Sequence, residues 1–258
     1  MIQKSIGFIG GGRITRIFLA AWTRQGRLPG NMVVADNNPE VLAKLKASYP
    51  AIETTAQLSA ASAQDLVFLS LHPSVMAEAL GSAHVGLKPA TLVVSLAPKF
   101  TFSKLSSLLG GHARLARVIP NAPSLIGAGF NPVTYAPALT AEDKIDLAKL
   151  LSPLGESPEV AEEKLEAYAV ISAMGPTYLW FQLQNLRELA GRFGLSEAES
   201  DTALKRMVCG STRTLLESGL MPAEVMDLIP VKPLAEMEKS VTEMYQTRLP
   251  AIYQKIKP

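Results

Sequence analysis

A single cysteine in 258 residues, Cys209, leaves no partner for an intramolecular disulfide. With no other thiol nearby in sequence and no adjacent histidine, it reads as a small buried apolar residue, and a reducing, cytoplasmic setting is expected. Aromatics are scarce at 6%, and no Lys/Arg stripe interleaves with them. The formal charge is only +2, with 25 basic against 23 acidic residues and no run of like sign. Neither nucleic acid nor an anionic membrane is called for by that balance. The apolar runs, such as Leu66–Leu71 and Leu92–Ala97, fall far short of the ~20 residues of a membrane span. The N-terminal apolar stretch is short and runs into glycines, so no signal peptide is read there. Three histidines and one cysteine show no metal-ligand spacing, and no metal is expected.

What is present begins with 48% apolar residues, enough to bury one large core or two smaller ones. Residues 1–158 alternate β-like and helical segments. Candidate strands are Ser5–Ile9, Asn31–Asp36, Leu66–Leu71, Leu92–Leu96, Leu115–Ile119 and Val133–Ala136. Between them the pattern predicts helices over Ile14–Gln25, Pro39–Ser48, Val75–Gly81, Phe102–Leu109 and Ala141–Leu151. The unbroken apolar character of the middle strands suits a parallel sheet covered on both faces. The expectation is an α/β, doubly wound sheet of the Rossmann type.

Residues 159–258 read as all-α. Ser196 with Glu199 forms a capping box, Gly219 closes that helix, and Pro222 opens the next. Gly175-Pro176 and Pro250 each predict a break or kink. Tyr178, Leu179, Trp180, Phe181, Leu183, Leu186 and Leu189 make one segment apolar around most of its circumference. Such a helix is buried on several sides, and for a unit of this size that points to dimerisation with a second copy.

The chemistry is concentrated at Ile6-Gly7-Phe8-Ile9-Gly10-Gly11-Gly12-Arg13-Ile14-Thr15. An apolar strand, a glycine cluster and a helix start are the parts that hold a pyrophosphate on backbone N–H groups. Gly10 permits the tight turn, and Gly12 keeps a Cβ out of the phosphates' way. Thr15 stands at the third position of the pattern, where a smaller residue is usual. Asp36 closes the second strand near the ~20-residue distance at which a carboxylate accepts from the adenosine ribose. Asn37 can hydrogen-bond either cofactor but adds no charge. A carboxylate there repels a 2′-phosphate and favours NADH over NADPH; Arg13 and Arg16 work against that preference.

The segments IGFIGGG, ADNNPE, DLVFLSLHP, TLVVSLAP, RVIPNAPSLIGAG, SAMGPTY and GSTRTLLESG, in this order, resemble pyrroline-5-carboxylate reductase over residues 5 to 245. The resemblance implies a Rossmann domain followed by an α-helical dimerisation domain. The implied reaction passes hydride from a nicotinamide to the carbon of a cyclic C=N bond, closing a proline-type ring. It places Gly12, Arg13 and Ile14 on the phosphate loop, and Asn37 at the adenosine phosphate or ribose. Leu71, His72 and Pro73 fall on the turn beneath the cofactor, where the family has Val-Lys-Pro. Leu96 and Ala97 match an Ala-Ala-Gly turn, here altered to Leu-Ala-Pro, Asn121 matches the asparagine beside the nicotinamide, and Ser172 to Tyr178 match Ser-Gly-Ser-Gly-Pro-Ala-Tyr with Ala173, Met174 and Thr177 changed.

One departure is large. Where the family carries Ser-Pro-Gly-Gly-Thr-Thr for the substrate carboxylate and imine, this chain reads Leu228-Ile229-Pro230-Val231-Lys232-Pro233-Leu234-Ala235. Both glycines and threonines are gone, and prolines lack N–H groups. Lys232, ahead of Pro233 as a first helical residue, could hold an anionic substrate group or, if buried, protonate the imine nitrogen. The reading is an NAD(P)H-dependent, homodimeric cyclic-imine reductase with an altered pocket and Lys232, Ser172 and Asn121 around the substrate. Two alternatives stand beside it: a non-catalytic NAD(P)-binding sensor, and another imine or keto-acid oxidoreductase on the same architecture. A hydroxyacid dehydrogenase would want a lysine on the Tyr178–Arg192 helix, which has none. His72 reads as a cofactor contact rather than a catalyst, Tyr178 and Trp180 as core aromatics of the dimer helix, and His84 and His112 as loop residues.

Overall fold

The computed structural model describes residues 4–83 and 86–258. His84 lies outside the described residues. The chain divides into two compact units, one comprising residues up to Met174 together with Ile252–Pro258, the other Gly175–Ala251. This division falls later than the change at 158/159 read from composition. The reason is local: Leu165 and Ala169, just after the sheet, pack on Ile119 at the end of a sheet strand, with Ile256 against them.

The first unit is built on seven strands. They are β1 (Ile6–Ile9), β2 (Met32–Ala35), β3 (Glu53–Thr55), β4 (Leu66–Leu69), β5 (Leu92–Ser95), β6 (Leu115–Val118) and β8 (Val133–Tyr135), with β7 (Gly129–Phe130) forming a separate short pair with β9 (Gly155–Glu156). The order is β3-β2-β1-β4-β5-β6-β8, all parallel except β8 against β6. Reversal of the winding order between β1 and β4 is the mark of the doubly wound Rossmann sheet. Every residue of β1, β2, β4, β5 and β6 is buried, as two-sided coverage requires. The helices between strands are α1 (Arg13–Arg24), α2 (Pro39–Ser48), α3 (Leu58–Ser62), α4 (Pro73–Ala83) and α5 (Phe102–Leu108), followed by α6 (Ala141–Leu151) after β8.

Two apolar layers flank the sheet. One holds Phe8, Phe18, Trp22 and Phe68, whose rings meet edge-on or stacked at centroid distances of 4.8–6.2 Å. The other gathers Ile9, Val67, Leu69, Met76, Leu80 and Val93. Polar strand β3 and the five-residue α3 escape apolar periodicity, and both are absent from the sequence reading.

The first unit continues through a 3-10 turn (Glu162–Lys164), α7 (Leu165–Tyr168) and one π-helical turn (Ala169–Ala173). The helix gives way at Met174 and Gly175, and α8 (Pro176–Arg192) starts on Pro176, so the break expected at Gly175-Pro176 is where the structure puts it. In the second unit follow α9 (Glu197–Glu217), α10 (Pro222–Asp227) and the start of α11 (Ala235–Ile256). Ser196 and Glu199 close the expected capping box, and Gly219 takes the left-handed conformation, φ +77°, after α9. Pro250 does not break α11, which runs through it. Pro233 is not the first helical residue either; it sits in the turn before Ala235.

No residue of α8 is buried, and only Ser200 of α9 is. Trp180 is 52% and Phe181 65% exposed within the single chain. Tyr178 is half-buried and meets Tyr245 edge-on at 5.9 Å. Cys209 is exposed rather than buried. Its helix α9 pairs with α8, which leaves most of their apolar surface uncovered within one chain.

Candidate functional site

The candidate site lies at the carboxyl ends of β1, β2, β4, β5 and β6, where a doubly wound sheet opens its crevice. β1 ends at Ile9, and Gly10 turns the chain with φ +101°. A Cβ at Gly10 would run into the carbonyl of Ser70, so the position admits glycine alone on two counts. Gly11 packs on α2, and a Cβ there would lie 2.9 Å from Val41 and 2.8 Å from Leu45. At Gly12 nothing stands within 4 Å of where a Cβ would be. Gly12 is also the N-cap of α1, and no side chain caps that helix start. The first N–H groups of a helix have no internal partner. Here, with Arg13 and Ile14 next in line, no side chain caps them and the Cβ direction of Gly12 is open, which fits a pyrophosphate.

Thr15, at the unusual third position of the glycine pattern, is fully buried. Its Oγ1 donates to the Gly10 carbonyl at 2.5 Å and lies 3.0 Å from Ser70 Oγ. The hydroxyl thus fastens the glycine turn to the β4 end, which explains how a residue larger than glycine or alanine is accommodated.

Asp36 follows β2 directly. Its Oδ2 accepts the Gly11 N–H at 2.7 Å and its Oδ1 the Asn38 N–H at 2.8 Å. The structure therefore brings the Asp36 carboxylate and the glycine loop into direct contact. Gly11's part in this was missed in the sequence, because the pattern treats that position as variable. Asn37 is exposed, while Asn38 caps α2 by accepting from Glu40 and Val41 N–H groups.

Over the other half of the sheet, Leu71, His72 and Pro73 form the turn from β4 into α4. The His72 ring is exposed, with Nδ1 2.8 Å from Ser74 Oγ, leaving Nε2 on the open side. Ala97 is buried just beyond β5. Asn121, after β6, is 7% exposed and has both ends of its amide engaged. Oδ1 accepts from Phe130 N–H at 3.1 Å, and Nδ2 donates to the Ser172 carbonyl at 3.3 Å. Ser172 Oγ donates back to the Tyr168 carbonyl at 2.8 Å. Asn121 and Ser172 are thus neighbours, and their side chains are committed to holding the loops. Lys232 lies in the second unit, where its side chain is exposed. His112 Nε2 meets the Thr91 carbonyl at 2.8 Å, a structural bond. Among the described residues no group of three or more His, Cys, Asp or Glu could hold a metal.

Fold and glycine loop together define a Rossmann-type dinucleotide-binding protein with a helical second unit. Comparison with known proteins narrows this. The family model described as NADP oxidoreductase, coenzyme F420-dependent, matches residues 5–99. Pyrroline-5-carboxylate reductase of Escherichia coli (strain K12) is 28% identical over 229 residues, 88% of this chain and 85% of that protein. Among solved structures, pyrroline carboxylate reductase of Plasmodium falciparum with NADP bound superposes with a TM-score of 0.83 at 19% identity, covering 100% of this chain and 98% of that one. The Streptococcus pyogenes enzyme gives 0.80 at 19%, covering 98% of each. The chain is thus similar to pyrroline-5-carboxylate reductases along most of its length, and shares their fold.

Proposed function

We propose that this protein is an NAD(P)H-dependent reductase of cyclic imines, built like a pyrroline-5-carboxylate reductase with a different substrate pocket. The observation that carries it is the open, uncapped start of α1 at Gly12, with the Asp36 carboxylate anchored beside it. A bound reduced dinucleotide supplies hydride for the carbon of a C=N bond. The chain's part is to seat the phosphates on the amides of Gly12, Arg13 and Ile14, and to hold the ring near Ala97, His72 and the Asn121–Ser172 contact. Exclusion of water around the reacting carbon raises the value of each fixed dipole there.

Asp36 supports NADH over NADPH, since its charge opposes a 2′-phosphate where the ribose hydroxyls would bind. The 228–234 segment supports the altered pocket: Leu228, Ile229, Val231 and Leu234 are 58–74% exposed, and Pro230 and Pro233 can donate no N–H. Such a segment suits an imine less dependent on carboxylate recognition, with Lys232 as its one cation. The uncovered apolar surface of α8 and α9 supports a homodimer formed through the second unit. Among the described residues no helix is long and apolar enough to cross a membrane, in keeping with a cytoplasmic enzyme.

A panel of cyclic imines, with and without a ring carboxylate, incubated with NADH or NADPH, tests the reading by loss of reduced-nicotinamide absorbance. Turnover is expected, faster with NADH. Cofactor binding with no imine reduced would favour a sensor instead.

A further inference from the structure

Arg117 is fully buried in β6, in the middle of an otherwise apolar strand. Its Nη1 donates to Glu162 Oε1 at 2.9 Å and its Nη2 to Glu166 Oε1 at 2.5 Å. Each of those oxygens also accepts a backbone N–H from the loop after β5: Glu166 Oε1 from Lys99 at 2.9 Å, Glu162 Oε1 from Phe102 at 2.7 Å. One guanidinium thereby ties two carboxylates, and through them two amides, into a single clamp. Lys99 is the sole non-glycine residue with positive φ (+77°) among the described residues, a backbone conformation that disfavours a residue with a side chain. Strain of this kind persists where surrounding contacts over-determine the conformation.

The clamp's position gives it a purpose. Glu166 belongs to the helical stretch that continues through the π-turn to Ser172, whose carbonyl receives Asn121 Nδ2. Lys99 and Phe102 bracket the loop that begins at Ala97. The three segments meeting at the clamp (97–102, 117–121 and 162–172) are those at the carboxyl ends of β5 and β6, over which the second half of a dinucleotide lies. A buried ion pair is weak grounds for stability, and Arg117 Nε has no hydrogen-bond partner at all. The arrangement is better explained by geometry than by energy.

We propose that Arg117, Glu162 and Glu166 are positioning residues for the nicotinamide: they hold the Ala97–Phe102 turn, against the strain at Lys99, at the depth the ring requires. The inference rests on the reductase reading, yet it predicts an effect on bound cofactor that needs no imine. In Glu166→Ala the Lys99 amide loses its acceptor and the turn relaxes. Lys99→Gly, which removes the cost of positive φ, returns the turn without Glu166.

The test measures the emission of NADH bound to the wild type, Glu166→Ala, Glu166→Gln, and each variant combined with Lys99→Gly, alongside imine turnover and thermal unfolding. Expected are emission shifted toward free NADH in Glu166→Ala, turnover lower on the order of tenfold, and a dissociation constant changed less than about threefold, because the phosphate loop is untouched. Glu166→Gln, a neutral acceptor of the same shape, lies between, and Lys99→Gly restores emission and turnover in both. Should Glu166→Ala not fold, the Glu166→Gln pair carries the comparison. Unchanged emission in the Glu166 variants, or no restoration by Lys99→Gly, overturns the clamp. If the wild type binds NADH but reduces no imine, the reductase reading falls while the emission arms still decide the clamp. A wild type that binds no NADH overturns both.

Discussion

Gly11 N–H donates to Asp36 Oδ2 at 2.7 Å, so the glycine loop and the Asp36 carboxylate are one hydrogen-bonded unit. The proposed preference for NADH rests on this contact. Asp36→Ser removes the charge facing a 2′-phosphate while keeping a small polar group. The ratio of kcat/KM for NADPH to that for NADH should rise about tenfold or more, equivalent to ~1.4 kcal/mol. Steady-state kinetics with both cofactors checks it; an unchanged ratio would mean that Asp36 does not face the ribose.

Gly10→Ala forces a Cβ onto the Ser70 carbonyl at φ +101°. A loss of about 1–3 kcal/mol in stability is expected, with dinucleotide affinity falling as the turn shifts. Denaturant unfolding of both proteins measures the first, titration with NADH the second.

Asp143 supplies the pH dependence. It is 3% exposed and closes a capping box with Thr140, while Arg114 Nη2 lies 2.7 Å from both carboxylate oxygens and Lys4 3.7 Å from one. Burial alone would raise its pKa; hydrogen bonds from Thr140 and the charges of Arg114 and Lys4 outweigh it and hold the carboxyl below its ordinary value. A pKa depressed by folding contributes stability above the unfolded value of about 3.9, lost as pH falls through the folded one. Asp143→Asn should therefore cost about 1–3 kcal/mol at neutral pH. The cost should shrink on acidification, and unfolding midpoints against pH for the two proteins should converge at the acid end.

The second unit predicts assembly. Phe181 at 65% and Leu186 at 41% exposure lie on α8, which buries nothing within its own chain. Light scattering should give twice the chain mass for the wild type, and a single-chain mass or aggregation for Phe181→Asp. A monomeric wild type would contradict the dimer.

Lys232→Ala should raise KM for an anionic imine several-fold and leave NADH affinity unchanged. Intact substrate affinity and turnover would remove Lys232 from the site.

The strands with continuous apolar runs and the glycine turn were legible in the sequence because burial on both faces and positive φ leave compositional marks. Strand β3, with Glu53, Thr54 and Thr55 at the sheet edge, carries no such mark. The same holds for Arg117: a lone arginine between Ala116 and Val118 gives no sign that its carboxylate partners lie 45 and 49 residues away. At Pro250, of the break or kink that proline predicts, the break is absent, since α11 continues through it. Cys209 differs: its small apolar side chain reads as buried, yet it is exposed on α9.

Calorimetric titration of NADH into the wild type and Gly12→Glu tests the central claim most directly. Phosphates seated on the open start of α1 predict saturable one-site binding to the wild type and at least about a hundredfold weaker binding to the variant, where a carboxylate occupies their place. Equal affinity in the two proteins, or no binding to the wild type, would contradict it.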